Sequence, residues 1–218
     1  MIEKWIKNQL KSTTHTVNKI KNDFNKIKGL KTCNTTIKGI LIKAGLESRF
    51  TKRENPAHPN LNENYFEIID TKEKAYWLGF LYADGNVQHR ADNVKRLRIG
   101  INKKDRWLID TFVEHIYANK EKIFNDGNLI RFEIANKKLC NDLIKQGCHP
   151  VKSLNINFPK LENRELELAF LLGYFDGDGT QGTSKITSGS KTFLNQIKYY
   201  FEIKNKIHRK SKNQNSYD

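Results

Sequence analysis

The sequence predicts an α+β fold in which an α-β-β-α-β-β-α unit is completed once and then begun again, behind a small basic helical module. Three observations predict it. An apolar run with small residues in step occurs twice, as AYWLGFLYADGN (75–86) and AFLLGYFDGDGT (169–180). Alternating and amphipathic stretches follow the first copy in a regular order. The formal charge is +15 over 218 residues, and it is unevenly spread.

Residues 1–60 hold 13 Lys and Arg against 4 Asp and Glu, residues 61–184 balance at 18 against 18, and residues 185–218 hold 8 against 2. An excess at both ends of a neutral middle points to a polyanionic partner, foremost nucleic acid, because basic side chains gain from displacing counterions along phosphates. A lysine-rich surface that only aids solubility is the plainer account. The length suits one mid-sized domain or two small ones. The composition divides it into a basic region with a linker (1–60), a first repeat (61–160) and a second (161–218).

Other classes are disfavoured. Cys33, Cys140 and Cys148 are odd in number and form no CxxC pair, which argues against a disulfide scaffold and for a reducing compartment. Cys148 and His149 beside Cys140 lack the second close-spaced pair that a zinc site needs. The N-terminus MIEKWIKNQLKSTT is too charged for a signal peptide. No apolar run reaches the roughly 20 residues of a membrane span, so no membrane partner and an intracellular setting (cytoplasmic, organellar or phage-encoded) are expected.

Residues 1–55 read as helical. Asn34-Thr35-Thr36 offers an N-cap, Ile37, Ile40, Leu41 and Ala44 fall on one face, and Gly45 stops the helix. A short helix, a turn and a basic amphipathic helix suggest a helix-turn-helix DNA reader. RENPAHPNLNEN (53–64) reads as a linker. Asp70-Thr71 then caps a helix over 75–83, and Gly85-Asn86 breaks it. RLRIGIN (96–102) alternates, with Leu97, Ile99 and Ile101 on one face and Arg96, Arg98 and Asn102 on the other. DRWLIDTFVEHI (105–116) is an amphipathic helix through Leu108, Phe112 and Ile116. KIFND (122–126) and NLIRFEIA (128–135) form a hairpin with Ile130, Phe132 and Ile134 inward and Arg131 and Glu133 outward. KKLCNDLIKQG (137–147) is a helix stopped by Gly147. The second copy restarts at Leu166, passes through a shortened strand region TQGTSKITSGS and a helix over 191–203, and ends in KNKIHRKSKNQNSYD, where no further strand pair is expected.

The repeated helix carries the chemistry. Ala75, Gly79 and Ala83 are spaced i, i+4, i+8, and so are Ala169, Gly173 and Gly177. Two such ridges let helix backbones approach closer than the usual 8–10 Å. Packed on each other with pseudo-two-fold symmetry, they bring Asp84 and Asp178 together at one end. Carboxylates at helix C-termini are disfavoured by roughly 0.3–1 kcal/mol and repel each other, which makes sense if hard divalent cations sit between them. A lone GxxxADG would be an ordinary turn; two in one register are not.

WLGFLYADG (77–85) and LLGYFDGDG (171–179) resemble the signature motifs of single-chain, two-motif LAGLIDADG homing endonucleases, over roughly residues 61–205. The resemblance implies a monomeric, Mg²⁺- or Mn²⁺-dependent nuclease acting on double-stranded DNA at a specific site. It implies that Asp84 and Asp178 bind the metals, with the carbonyls of Ala83 and Gly177. It also implies a basic residue near the scissile phosphate, which Lys152 in GCHPVKSLNINFP (147–159) matches. Tyr82 departs from the pattern where many members have Asp; Asp176 holds that place in the second motif. The family reads DNA with β-ribbons in the major groove, so Arg96, Arg98, Asn102 and Arg131, with Lys103, Lys104 and Lys185, are the candidate contacts. A solvated basic sheet face is their plainer reading.

The second repeat reads as incomplete: a counterpart of Lys152 would fall beyond residue 218. Residues 185–218 are therefore expected to pack poorly, and double-strand cleavage to be impaired. The alternative is a non-cleaving binder on the same fold, either an RNA-splicing maturase or a degenerate DNA-binding protein. No intein junction is visible, which suggests a free-standing or intron-encoded protein.

Overall fold

The computed structural model describes residues 57–89, 94–211 and 214–218, together with Lys26. The expected N-terminal helices and residues 53–56 of the linker lie outside the described residues; residues 57–64, read as linker, instead belong to the compact unit, with His58 buried and Leu61 packed on the core. Ala57–Asp218 forms one compact unit.

Helix α1 (Lys72–Ala83) begins at Thr71, whose hydroxyl accepts from the Lys74 N–H at 3.2 Å. Asp84 closes it, and strand β1 (Gly85–His89) starts at once. The first strand of the unit thus stands where Gly85-Asn86 read as a break. Strand β2 (Lys95–Asn102) pairs with β1 and buries Leu97, Ile99 and Ile101 as the alternation requires. Helix α2 (Arg106–His115) follows, with Leu108, Ile109, Phe112 and Val113 buried. Strands β3 (Ile123–Asp126) and β4 (Leu129–Ala135) make the hairpin, whose two-residue loop opens on Gly127 at φ +60°. A positive φ there is what such a loop demands of its first residue. Helix α3 (Lys137–Lys145) starts at Asn136 and ends in a Schellman motif: Gly147, at φ +95°, donates to the Ile144 carbonyl and Cys148 to that of Leu143. The sheet order is β1-β2-β4-β3, all antiparallel. The first unit is α-β-β-α-β-β-α.

Helix α4 (Arg164–Asp178) opens the second unit, two residues earlier than the repeat suggested, because Asn163 caps it through the Leu166 N–H at 3.0 Å. The expected strand region reduces to two isolated bridges, Gly179 with Ile186 and Ser188 with Tyr217. Helix α5 (Lys191–Tyr200) stops short of residue 203, with Glu202 at φ +53° and the Ile203 N–H donating back to Lys198.

Two expectations are corrected after this point. A strand pair does follow, β5 (Arg209–Ser211) with β6 (Gln214–Tyr217). It escaped the pattern because RKS and QNSY carry almost no apolar residues to alternate. Nor is 185–218 loosely packed throughout: Ser188, Ser190, Phe193, Leu194 and Ile197 are buried, and Ile207 and Tyr217 pack on the core. Ser188 also bridges Tyr217, so the second unit repeats the first sheet's order in miniature.

The core joins both units. Phe66, Trp77, Phe112 and Phe132 cluster in the first, and Phe158, Phe170, Tyr174 and Phe193 in the second.

Candidate active site at the helix ends

Helices α1 and α4 make the most extensive contact between elements, and glycines set its closeness. A Cβ on Gly79 would lie 1.9 Å from the Phe170 carbonyl oxygen and 2.9 Å from the Tyr174 nitrogen. A Cβ on Gly173 would lie 1.9 Å from the Tyr76 oxygen and 3.0 Å from the Phe80 nitrogen. Phe170 and Tyr174 flank Gly173 as Tyr76 and Phe80 flank Gly79, so the contact is reciprocal about a pseudo-two-fold axis. One turn on, a Cβ at Gly177 would stand 2.4 Å from the Ala83 Cβ and 3.3 Å from Asp84 Oδ2. Ala75 is buried and Ala169 half-buried against the core. The small-residue ridges thus lie where the spacing put them.

This packing delivers both carboxylates to one end. Asp84 caps α1, its N–H donating to the Phe80 carbonyl at 2.9 Å, and Asp178 is the last residue of α4. Neither helix has a basic residue in its last turn to offset the partial negative charge there. Burial, and then the charge of Asp178, push the Asp84 carboxyl up to about 6, with Asp105 adding and Lys152 opposing. Burial also raises Asp178, against the nearby Tyr174 hydroxyl and the charges of Lys152 and Lys210.

Lys152 sits in the turn Lys152–Leu154 and is only 8% exposed, so it is no ordinary surface lysine. Its ammonium donates to the Ala83 carbonyl at 3.2 Å. Val151 before it has a left-handed backbone, φ +57°, a strained state for a β-branched residue. The chain therefore brings Asp84, Asp178, Ala83, Gly177 and Lys152 together.

The donors fit a hard divalent cation: they are all oxygens, and their ionisation is opposed by burial and mutual repulsion. Among the described residues no group of three or more His, Cys, Asp or Glu gathers as a metal site, so carbonyl oxygens and water would complete the coordination. A cleft of about 820 Å³ opens beside Asp84, lined also by Asn102, Lys104, Asp105, Asp176 and Gln181.

Most of the candidate DNA contacts share the open face of the first sheet. Arg96 and Arg98 pair with Glu133 at 2.5 and 3.3 Å, and Arg131 pairs with Asp126 at 2.9 Å. Burial raises the Glu133 carboxyl, but the guanidiniums of Arg96, Arg98 and Arg131 outweigh it and hold the group below its ordinary range. Asn102 commits its side-chain oxygen to the Lys104 N–H at 3.1 Å, capping the turn that exposes Lys103 and Lys104. Lys185 is exposed and 3.8 Å from Asp218, far along the chain from these residues. Sequence reasoning missed Asp105 and Lys210, which reach the carboxylates only through tertiary contacts.

The pseudo-two-fold helix pair, the carboxylates at its ends and the antiparallel sheet with a basic open face make the arrangement expected from the two LAGLIDADG-like motifs. Residues 165–218, from the second motif onward, match the family model described as the LAGLIDADG-like domain. No curated protein matches the chain. Among solved structures it is similar to a variant of I-DmoI in complex with its target DNA in the presence of Mg, at 18% identity over 72% of this chain and 89% of that one, TM-score 0.49. It is also similar to I-DmoI in complex with DNA and Ca (15% identity, 72% and 82% coverage, TM-score 0.48). A third similar structure is the LAGLIDADG meganuclease I-AabMI bound to uncleaved DNA (14%, 65% and 76%, TM-score 0.42).

Proposed function

We propose that the chain is a site-specific endonuclease of double-stranded DNA, monomeric, and dependent on Mg²⁺ or Mn²⁺ held by Asp84 and Asp178. The observation that carries the reading is the convergence of two carboxylates and the buried Lys152 at the ends of one helix pair. Asp84 and Asp178, with the carbonyls of Ala83 and Gly177, would hold the cations. Bound there, a divalent cation lowers the pKa of water and neutralises charge on phosphate oxygens. Each strand cut consumes one water: its oxygen bonds to phosphorus, the bridging P–O bond breaks, and the released oxygen ends protonated. Lys152 neutralises charge gathering on the phosphate. Arg96, Arg98, Asn102, Arg131, Lys103, Lys104 and Lys185 hold the duplex by its phosphates and base edges.

The test uses DNA selected from a random duplex pool by binding to the full chain. In Mg²⁺ the wild type should cut both strands. Asp84→Asn, Asp178→Asn and Lys152→Met should each slow cutting by about 10²-fold or more while leaving the Kd within a few-fold. Binding without any cutting by the wild type would favour the non-cleaving alternative.

A further inference from the structure

The fold brings a second lysine to the Asp178 end of the site. Strand β5 carries Lys210 back toward the end of α4, where its ammonium donates to the Thr187 hydroxyl at 2.6 Å. Thr187 is itself fastened to that helix end. Its N–H donates to the Asp178 carbonyl at 3.1 Å, and its own carbonyl accepts from the Tyr174 hydroxyl at 3.1 Å. The next residue, Ser188, exchanges both backbone hydrogen bonds with Tyr217 at 2.9 Å.

We infer that Lys210 is the second cation of the site, held at the Asp178 side by Thr187 and serving the cut of one DNA strand. The inference rests on the endonuclease reading and deepens it. Lys152 donates to the Ala83 carbonyl beside Asp84, whereas Lys210 is tied through Thr187 to the Asp178 end of α4. The two lysines are also held differently. Lys152 is buried against a carbonyl; Lys210 is exposed and anchored by a hydroxyl. A phosphate arriving at Asp178 can therefore meet the Lys210 ammonium directly. Asp84 and Asp178 hold matching places in the two repeats, whereas Lys152 and Lys210 hold different ones.

The experiment follows each strand separately, with the two 5′ ends of the selected duplex labelled by different dyes, in Mg²⁺. For Lys210→Met, one strand should be cut at close to the wild-type rate and the other at least tenfold more slowly, so that nicked duplex accumulates. Lys210→Arg should restore much of the slow cut. Thr187→Val, which removes the anchor, should show the same strand bias more weakly. Equal slowing of both strands, no slowing, or a weaker Kd with the wild-type strand ratio would overturn the inference and leave the endonuclease reading standing. Failure of the wild type to cut at all would overturn both.

Discussion

Tyr82 and Asp176 occupy the same place in their helices, two residues before the terminal aspartates, yet they meet their partners by opposite chemistry. The Tyr82 ring lies edge-on to Phe170 at 5.0 Å, and its hydroxyl donates to the Gln146 carbonyl at 2.6 Å. Asp176 instead accepts a hydrogen bond from Tyr76 at 2.6 Å on an exposed face. Tyr76 and Phe170 are themselves equivalent positions, so the helix pair is symmetric in backbone and asymmetric in side chains.

That difference predicts unequal costs for one chemical change. Tyr82→Phe strands a half-buried carbonyl and should destabilise by about 1–2 kcal/mol, whereas Tyr76→Phe at the solvent edge should cost about 0.5 kcal/mol or less. Urea unfolding of the two variants checks this. Equal losses would mean that the Gln146 contact adds nothing.

The interhelix glycines should tolerate no methyl. Gly79→Ala or Gly173→Ala puts a Cβ 1.9 Å from a backbone oxygen that cannot swing away. Each should lose about 3 kcal/mol or more, at or beyond the upper end for overpacking. Gly100 is the contrast: nothing lies within 4 Å of a Cβ there, and Gly100→Ala in its strand should gain about 0.4–1 kcal/mol. Thermal and urea melts of the three variants give the comparison.

Asp84 holds its proton more tightly in the fold than in the unfolded chain. Between its ordinary 3.8 and about 6, the folded state carries the extra proton and gains stability as pH falls; above that window the ionised group opposes folding. In chelated buffer at pH 7–8, Asp84→Asn should therefore be more stable than the wild type, and the advantage should vanish near pH 4. Millimolar Mg²⁺ should raise the wild-type Tm and leave that of Asp84→Asn nearly unchanged. A pH-independent difference between the two proteins would refute the raised ionisation.

Glu133 restrains the guanidiniums of Arg96 and Arg98. Glu133→Gln should free them for phosphates, tightening binding to any duplex at low salt and steepening the salt dependence. Arg98→Ala should flatten the slope of log K against log salt by about 0.9 for each phosphate that is no longer neutralised. Fluorescence anisotropy across a salt series reads both slopes.

Strands β2 and β4 were legible because each buries every second residue against one core. Strand β1, GNVQH, has a single buried apolar residue, Val87, too little to show a period. Strands β5 and β6 are polar and owe their place to pairing with each other and, through Tyr217, with Ser188. The acidic half of the site was legible because helix spacing alone carries Asp84 and Asp178 to one end. Lys210 was not, because it reaches Thr187 only through strand pairing that a linear pattern does not encode. Burial was similarly hidden. Leu78 and Leu172 hold one position in the two copies, yet Leu78 is fully buried and Leu172 is 56% exposed, since what covers a helix lies outside it.

The uneven contacts of Tyr76, Tyr82, Phe170 and Asp176 also decide which helix can marry which. Two copies of α4 placed across the same axis would press each Asp176 carboxylate against a Phe170 ring, where no donor answers it. Two copies of α1 would set Tyr76 against Tyr82 twice and forgo the Tyr76–Asp176 hydrogen bond. Only the mixed pair gives every one of these groups a suitable neighbour, so each half of the molecule recognises its own sibling and rejects a twin.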